Sequence, residues 1–217
     1  MKFLITAGPT VEDIDPVRFI SNRATGKLGV EMTKAALAAG QGVVFIHGPV
    51  PEEVLKALPS SPRLKLVPVR SAAQMRRAVR QYVGKADVAV MNAAVADFTP
   101  LAAKRTKIKK TGAALVLRLK PTADILRELG RIKKNRRKKL VLIGFALETG
   151  PEPARLKEAR RKLRAKNLDV IILDSPAAMG ARQADFTWLD AKGNCRRLAD
   201  YSKRRLARFL VRNAISL

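Results

Sequence analysis

The residues with the clearest potential for chemistry lie in one loop near the amino end of the chain, over positions 7–29. A short apolar segment, 3–5, leads into this loop, and a helical pattern of apolar residues follows it. Gly26 and Lys27 stand where that helix would begin. A helix amino terminus attracts anions because its first N–H groups are unpaired and its dipole is positive there. The loop therefore predicts a binding site for a phosphate or a carboxylate.

The composition of the loop fits such a site but matches no common nucleotide motif. Gly8, Pro9 and Thr10 predict a turn at the strand end, Asn22 and Thr25 are both candidate helix N-caps, and Gly26 would let a ligand approach the backbone. A P-loop needs glycine and serine or threonine where this chain has Ser21 and Leu28. The chain also lacks the G-x-G-x-x-G fingerprint of dinucleotide-binding folds. An ordinary strand–loop–helix connection is the alternative interpretation.

Length and composition indicate one globular domain over residues 1–217, with a core built mainly from aliphatic residues because only 5% of the chain is aromatic. The amino terminus lacks a secretory pattern and no segment is long and apolar enough to span a membrane, so we expect a cytoplasmic protein. The single Cys195 excludes an internal disulfide and a cysteine-clustered metal site.

The formal net charge of +26 comes from 44 Lys and Arg against 18 Asp and Glu. Such a balance attracts polyanions. A phosphorylated substrate needs only a few of these cations, and we interpret the rest, including the run at 131–139, as a solvated face. No helix-turn-helix, zinc-ligand or aromatic RNA-binding pattern predicts a sequence-specific nucleic-acid surface. A basic nucleic-acid-binding protein on a Rossmann-like scaffold remains the competing hypothesis.

Predicted strands and helices alternate along most of the chain. Apolar strands are predicted at 42–46, 64–67, 87–91, 140–145 and 170–173, with a loop at 49–62 and helices between the later strands. This order predicts an α/β fold: a Rossmann-like, doubly wound, mainly parallel sheet with helices on both faces. Ligands of such sheets bind at the carboxyl ends of the strands, so the turn at Gly8 and the segment 92–97 are expected to share one crevice.

Two segments depart from the alternation. Residues 98–122 predict a basic flap followed by a strand, marked by Leu115, Leu117 and Leu119, that leaves the main sheet. Residues 186–189 and 196–198 flank a Gly193-Asn194 turn and predict a small antiparallel extension. Because short apolar strands of this kind need partners, we expect a homodimer formed through both segments.

Five sequence blocks together resemble the phosphopantothenate–cysteine ligase family, the phosphopantothenoylcysteine synthetases of coenzyme A biosynthesis. The blocks are the loop itself, 93–97 (AAVAD), 107–110 (KIKK), 144–149 (GFALET) and 166–169 (KNLD). They occur in the order of the family and at about its spacing, over roughly residues 3–174. Residues 16–22 and 107–110 are similar to the stand-alone bacterial type.

The resemblance implies roles for individual residues. Catalytic roles fall on Asn22, next to the acyl intermediate, and on Lys107, which would clamp the triphosphate when the flap closes. Nucleotide contacts fall on Met91, Asn92, Ala93, Asp97, Lys107, Ala123, Asp124, Ile125, Leu126, Phe145, Lys162 and Lys166, and the phosphate or substrate loop comprises Gly8, Pro9, Thr10, Asn22, Thr25, Gly26 and Lys27.

Each of these assignments has a simpler structural alternative. Asn22 would serve equally as an N-cap, Lys107 as a solvated cation, Asp97 as a turn residue and Phe145 as a core residue. The chain also departs from the family pattern after Asp169, over 174–186, and we assign no site there.

In the family, the carboxylate of 4′-phosphopantothenate attacks the α-phosphate of a nucleoside triphosphate, and the amine of L-cysteine then displaces the nucleotide. The resemblance implies CTP as the nucleotide substrate and Mg2+ as the cation that neutralises its phosphates, with no protein metal ligands assigned. Because the first strand follows Met1 directly, we expect no decarboxylase domain and no flavin.

Overall fold

The computed structural model describes residues 1–112, 114–174 and 181–217. An eight-stranded sheet runs through it in the order β12-β11-β10-β9-β6-β1-β4-β5. Its strands are β1 (Lys2–Ala7), β4 (Gly42–His47), β5 (Leu64–Pro68), β6 (Val88–Met91), β9 (Val141–Leu147), β10 (Val170–Asp174), β11 (Gln183–Asp190) and β12 (Cys195–Ser202). The first six in chain order pair in parallel, and β11 and β12 add antiparallel at one edge.

Helices cover both faces of this sheet, as predicted. Phe3, Ile5 and Val90 point into the core beneath α1 (Lys27–Ala38), α2 (Glu52–Leu55) and α6 (Lys203–Ser216). Leu4 and Leu142 point into the core beneath α3 (Ala72–Val83), α4 (Ile125–Lys134) and α5 (Glu152–Ala165). Parallel strands buried on both faces require nearly continuous apolar sequence, which is why these segments were recognisable from sequence.

The chain reverses direction across the sheet at β1. From β1 it passes through α1 to β4 on one side, and it later returns through α3 to β6 on the other. Neighbouring strands whose connections leave in opposite directions open a crevice at their carboxyl ends. The crevice between β1 and β6 is therefore where the fold itself predicts a ligand.

Two short elements were missed from sequence. The loop after β1 contains a two-stranded sheet of β2 (Val11–Asp13) and β3 (Phe19–Ser21), and α2 interrupts the predicted loop at 49–62. Three-residue strands and a one-turn helix give too little periodicity to recognise.

The flap departs partly from expectation. Its strand pairs outside the main sheet, as predicted, because β8 (Leu119–Pro121) joins β7 (Phe98–Pro100) in a separate sheet. The strand is shorter than the Leu115–Leu117–Leu119 alternation predicts. Leu115 and Val116 are 52% and 80% exposed, so no apolar surface within the described residues covers them and fixes them as a strand.

The antiparallel extension is a hairpin, as predicted, but it extends the main sheet and does not need a partner. Phe186, Trp188 and Leu198 are buried beneath α6 in the same chain. The premise that the apolar residues of this hairpin lack partners within the chain is therefore wrong, and the dimer itself stays a prediction. No helix in the described residues is long and apolar enough to cross a membrane.

Most cations of the basic run at 131–139 are exposed, as expected, but α4 continues to Lys134 and several of the cations also have partners. Lys133 pairs with Asp169 at 2.7 Å and Lys138 pairs with Asp87 at 2.5 Å. Arg136 donates hydrogen bonds to the carbonyls of Val83 and Gly84, at the end of α3. These contacts tie the run to the amino edge of the sheet, away from the crevice.

Candidate functional site

The loops that follow β1 and β6 are hydrogen-bonded to each other, which confirms that they share one crevice. Ala94 donates its N–H to the Gly8 carbonyl at 2.9 Å, and Thr10 donates its N–H to the Ala94 carbonyl at 3.2 Å. The Thr10 hydroxyl, which is fully buried, accepts the N–H of Ala96 at 2.9 Å. The two loops thus form a fixed floor before any ligand binds.

A cavity of about 480 Å³ opens above this floor. Most of the residues predicted from sequence line it, drawn from helices α1, α4 and α5, strands β6 and β9 and the loops beside them. They are Gly8, Thr25, Gly26, Lys27, Met91, Asn92, Ala93, Asp97, Ala123, Asp124, Ile125, Leu126, Phe145, Lys162 and Lys166. Pro9, Thr10, Asn22 and Lys107 do not line it.

Two glycines of the loop leave room for a neighbouring side chain, a contact that the sequence does not indicate. Gly8 and Gly26 have φ of 75° and 74°, in the left-handed region that favours glycine. A Cβ on either would lie 2.6 Å from a methyl group of Val50. At Gly26 the close approach is thus to a side chain of the protein itself, whereas the prediction assigned it to a ligand.

Helix α1 begins without a side-chain cap. Its N-cap residue is Gly26, and neither Asn22 nor Thr25 takes that role, so both N-cap predictions are wrong. Thr25 accepts a long 3.5 Å hydrogen bond from the Lys27 N–H. Because the amino terminus of α1 lines the cavity and its N-cap residue, Gly26, has no side chain to cap the helix, this end of the cavity suits an anion.

At the opposite end, two lysines of α5 project to the same side, as their four-residue spacing predicts. Lys162 contacts Glu148 at 2.5 Å, and Lys166 contacts Asp124 at 2.9 Å. Burial raises the pKa of Asp124, but the Arg127 N–H and the Lys166 ammonium outweigh it, so the pKa lies below its usual value. The carboxylates hold both ammonium groups at the cavity wall.

Small and apolar residues line the space between these charged ends. Met91 is buried, and Ala93 leaves room because it carries only a methyl group. Phe145, at the carboxyl end of β9, is partly buried and packs against the core while lining the cavity. Phe145 is therefore both a core residue and a cavity residue, and the two interpretations do not exclude each other.

Asn22 lies just outside the cavity and is attached to its floor. The Asn22 amide donates to the Ala94 carbonyl at 3.0 Å, across 72 positions of sequence. This long-range contact, which sequence could not indicate, replaces the N-cap role. It sets a hydrogen-bond donor beside a cavity-lining residue.

Lys107 is exposed on the flap, and its neighbour Ile108 is anchored on both sides of its backbone. The Ile108 N–H donates to the buried Asp15 carboxylate at 3.1 Å, and the Arg18 guanidinium donates to the Ile108 carbonyl at 2.7 Å. Burial raises the pKa of Asp15, but backbone hydrogen bonds from Val17, Ile108 and Arg18 outweigh it, leaving the pKa lowered. The flap is thereby tied to the loop that carries Asn22.

Sequence reasoning missed two cations in the cavity, Arg23 and Lys203. Lys203 is the first residue of α6, and its pKa is lowered by burial and by Lys27, against the opposing effect of Asp174. It donates a hydrogen bond to the Ala181 carbonyl at 2.5 Å. A lysine at the start of a helix does not by itself indicate a binding site, and Lys203 follows the segment in which the family pattern is lost. Residues 175–180, part of that segment, lie outside the described residues.

The cavity is chemically divided. Lys27, Arg23 and Lys203 add positive charge to one part of the lining, whereas the ammonium groups of Lys162 and Lys166 are each balanced by a carboxylate partner. The described residues contain no group of three or more His, Cys, Asp or Glu side chains placed to hold a metal. The arrangement suits a long substrate with anionic groups at both ends, or two anionic substrates side by side.

Comparisons with known proteins agree with this geometry. The model of the DNA/pantothenate metabolism flavoprotein C-terminal domain matches residues 1–217. The coenzyme A biosynthesis bifunctional protein CoaBC of Bacillus subtilis (strain 168) is 45% identical over 178 residues, covering 82% of this chain and 41% of that protein. A cysteine/cysteine sulfinic acid decarboxylase from an unknown prokaryotic organism is 40% identical over 220 residues, covering 100% of this chain and 58% of that protein.

The chain thus spans about half the length of these relatives. The crystal structure of the C-terminal domain of a CoaBC protein superposes with a TM-score of 0.79 at 32% identity, covering 99% of this chain and 94% of that one. This match confirms the α/β, Rossmann-like fold, and with the relatives it confirms the resemblance noted from sequence. The chain belongs to the family of the DNA/pantothenate metabolism flavoprotein C-terminal domain.

Proposed function

We propose that this chain joins 4′-phosphopantothenate to L-cysteine through an acyl-cytidylate intermediate, releasing pyrophosphate and CMP. The observation that carries the proposal is the single cavity in which the loop after β1, the loop after β6, the start of α4 and the lysines of α5 meet. One relative is named as a decarboxylase, but this chain spans only 58% of that protein. No residue of the cavity favours the decarboxylase activity over the ligase.

The nucleotide is proposed to lie at the α5 end. The base would rest beside Phe145 and the backbone near Met91, and Asp97 would bind ribose hydroxyls from its exposed position. Lys162 and Lys166 would meet the triphosphate. Phosphate oxygens are stronger partners for these ammonium groups than the exposed side of a carboxylate, so binding would exchange the Glu148 and Asp124 contacts for phosphate contacts.

Phosphopantothenate is proposed to enter at the α1 end. Its phosphate would face the uncapped start of α1 and Lys27, where the helix dipole and the ammonium both favour an anion. Its carboxylate would then extend toward the nucleotide. The family resemblance, which assigns Lys162 and Lys166 to the nucleotide, is what supports this orientation over the reverse.

In the first proposed step, a carboxylate oxygen of phosphopantothenate attacks the α-phosphorus of CTP. An O–P bond forms, the bond to the β-phosphate oxygen breaks, and pyrophosphate leaves with that electron pair. Lys107 would neutralise charge on the triphosphate when the flap closes over the cavity. The step is needed because a free carboxylate is a poor acyl donor until its oxygen belongs to a phosphate leaving group.

In the second proposed step, the neutral amine of cysteine attacks the acyl carbon and CMP leaves. The carbonyl oxygen gains negative charge as the amine adds, and the Asn22 amide would donate to it. The proton that the amine loses as the amide forms leaves on the phosphate of CMP. Neither step changes an oxidation state, so the proposed reaction requires no flavin. Mg2+ would arrive as the counter-ion of the triphosphate and not on a protein-only site, since the described residues offer no such cluster.

The selection of CTP over ATP is also a proposal. A pyrimidine fits the space beside Phe145, and the wrong base would leave buried backbone groups unpaired. One such group corresponds to a preference of about tenfold. A homodimer is proposed as well, and exposed apolar residues of the flap and the β2–β3 loop support it, because Phe19, Phe98 and Leu101 are 54%, 52% and 56% exposed.

The test is a partial-reaction assay. Pyrophosphate release is measured with phosphopantothenate and each of CTP, ATP, UTP and GTP at equal concentration, with and without cysteine, and the amide product is detected by mass spectrometry. We expect release with CTP in the absence of cysteine and amide only in its presence. No release with any nucleotide, or CO2 from cysteine without amide, would overturn the ligase. Equal turnover with ATP would overturn only the base selection.

A further inference from the structure

We propose that one face of this protein binds the phosphate backbone of nucleic acid without regard to sequence. We call it the arginine face. It comprises Arg196 on β12 and the α6 residues Arg204, Arg205, Arg208 and Arg212, all of them exposed. None of the five lines the substrate cavity, so the proposal stands independently of the ligase.

The arginines are concentrated on a regular scaffold. Arg204, Arg208 and Arg212 follow one another at four-residue intervals, so they project from one side of α6 about 6 Å apart. Together with Arg196 and Arg205 they line a shallow groove of about 650 Å³, whose lining contains no acidic residue. The groove is thus a row of cations with space beside it for a chain of phosphates.

The positive charge of the arginine face is not balanced by ion pairs in the part of the chain that the structure describes. Among the described residues, no acidic side chain forms a salt bridge with any arginine of the face, whereas Lys133 and Lys138 in the other basic run both have one. Helix α6 itself contains no Asp or Glu. The simple interpretation of a solvated face therefore fails here, because solvated helix faces normally mix charges of both signs.

The helix carries an electrostatic cost for this arrangement. Arg204 and Arg205 lie in its first turn, where the helix dipole disfavours cations. Arg204 with Arg208, and Arg208 with Arg212, form like-charge pairs at four-residue spacing, which also destabilise a helix. A bound polyanion would relieve both effects. The sequence therefore places positive charge where folding alone would not favour it.

Two of the guanidinium groups are held in place by aromatic rings. Arg205 lies 4.2 Å from the centre of the Tyr201 ring, and Arg196 lies 5.2 Å from the centre of the Phe209 ring. The two rings pack edge-to-face with each other and are nearly buried. An immobilised guanidinium offers its planar fork to phosphate oxygens with little loss of freedom on binding.

The surroundings favour nucleic acid over the other polyanions of a cell. A helix that binds a membrane surface inserts apolar side chains, but the apolar side of α6 is buried against the sheet and α1, and Ile215, at 37%, is its one large apolar residue exposed in the described structure. Protein interfaces centre on exposed aromatic or apolar residues, which the face also lacks. Protein–nucleic acid interfaces are polar and strongly positive.

The experiment compares two variants with matched charge. The face variant carries Arg204→Gln, Arg205→Gln, Arg208→Gln and Arg212→Gln, which preserve helix propensity. The control carries Arg77→Gln, Arg131→Gln, Lys134→Gln and Arg137→Gln, which remove four exposed cations from α3, α4 and the segment that follows, on the opposite side of the sheet. Binding of a short random-sequence duplex DNA is followed by fluorescence anisotropy as a function of salt.

We expect wild-type affinity to be measurable at low salt and to fall steeply as salt rises. Each lost phosphate contact reduces the slope of log K against log salt by about 0.9, so the face variant should be shallower by about 3.6. Between 50 and 200 mM salt, wild type should then lose about 150-fold more affinity than the face variant. The control should keep most of the wild-type slope. Thermal melting and pyrophosphate release verify that both variants are folded.

Several results would overturn the proposal. Equal losses in the two variants would show that total charge and not this face binds DNA. Selective binding to one sequence at physiological salt would contradict backbone recognition. Competition by polyglutamate as strong as that by DNA of equal charge, or arginine-dependent binding to anionic phosphatidylserine vesicles without DNA binding, would assign the face to a different partner.

Discussion

The sharpest test of the proposed chemistry separates its two steps with one variant each. Asn22→Asp keeps the size of the side chain but replaces an amide that donates at 3.0 Å to Ala94 with a carboxylate that accepts only. A carboxylate cannot donate to the oxyanion of the second step. Loss of one such donor slows a reaction by about 10²–10³, or about 2.7–4 kcal/mol. The first step has no such requirement and should proceed.

The magnitude is distinguishable from a folding effect. The exposed Asn22–Ala94 hydrogen bond contributes about 0.5–1.5 kcal/mol to stability, small against the roughly 5–15 kcal/mol of a typical domain. The Asn22→Asp protein should therefore remain folded. Asn22→Ala removes the donor without adding charge, and it should show the same loss of the second step if donation is what matters.

Lys107→Gln is expected to show the opposite pattern. Without the ammonium, pyrophosphate release in the first step should fall, while amide formation from acyl-cytidylate made beforehand by wild type should persist. Arg105→Gln, which removes a neighbouring exposed flap cation, is the matched control and should leave both steps nearly unchanged. Single-turnover pyrophosphate release reports the first step and mass spectrometry of the amide reports the second. Equal loss of both steps in the Asn22 variants would refute the assignment of Asn22 to the second step.

Three further results are expected. Light scattering should give a mass near twice 23.8 kDa, and Phe98→Glu should shift it toward the monomer; a pure wild-type monomer at micromolar concentration would contradict the dimer. Gly26→Ala should destabilise the protein by about 1–2 kcal/mol from its left-handed backbone and about 1–3 kcal/mol from displacing Val50, and adding Val50→Ala should recover only the second part in denaturant titrations. The pKa of Asp15 is lower in the folded protein, so the stability that its carboxylate contributes is present above the unfolded pKa of about 3.9 and is lost as pH falls. Asp15→Asn should therefore flatten the decline of melting temperature on acidification. An unchanged acid profile would show that Asp15 is not responsible for that decline.

The sheet and the cavity floor could be predicted from sequence because their signals are local. Doubly buried strands must be apolar over consecutive residues, and parallel strands end at one edge, so Gly8 and the residues after Met91 could be placed together from order alone. The four-residue spacing likewise predicted that Lys162 and Lys166 project to the same side, whereas their assignment to the nucleotide came from the family resemblance.

The predictions from sequence failed where a contact with a residue distant in the chain determines the position of a side chain. Asn22 suits an N-cap by composition, but the Ala94 carbonyl 72 positions away takes its amide. The hairpin strands have exposed-looking apolar residues until α6, the last element of the chain, covers Phe186 and Trp188. Lys203 enters the cavity only because α6 packs along α1 and brings its own start beside that of α1. None of these pairings leaves a periodic trace in sequence.

The same long-range contacts explain why the two proposed catalytic residues lie outside the cavity wall. Asn22 and Lys107 belong to segments that the sheet does not hold directly. Two residues join those segments to each other. The Asp15 carboxylate accepts N–H groups both from its own loop and from Ile108, and the Arg18 guanidinium donates to the Ile108 carbonyl. The fixed part of the site can therefore bind substrates, while the parts proposed to act on them are coupled and can shift together. For that reason Asp15→Asn should weaken both partial reactions by a similar factor, unlike the variants at Asn22 or Lys107, and loss of one step alone would show that the flap and the loop act independently.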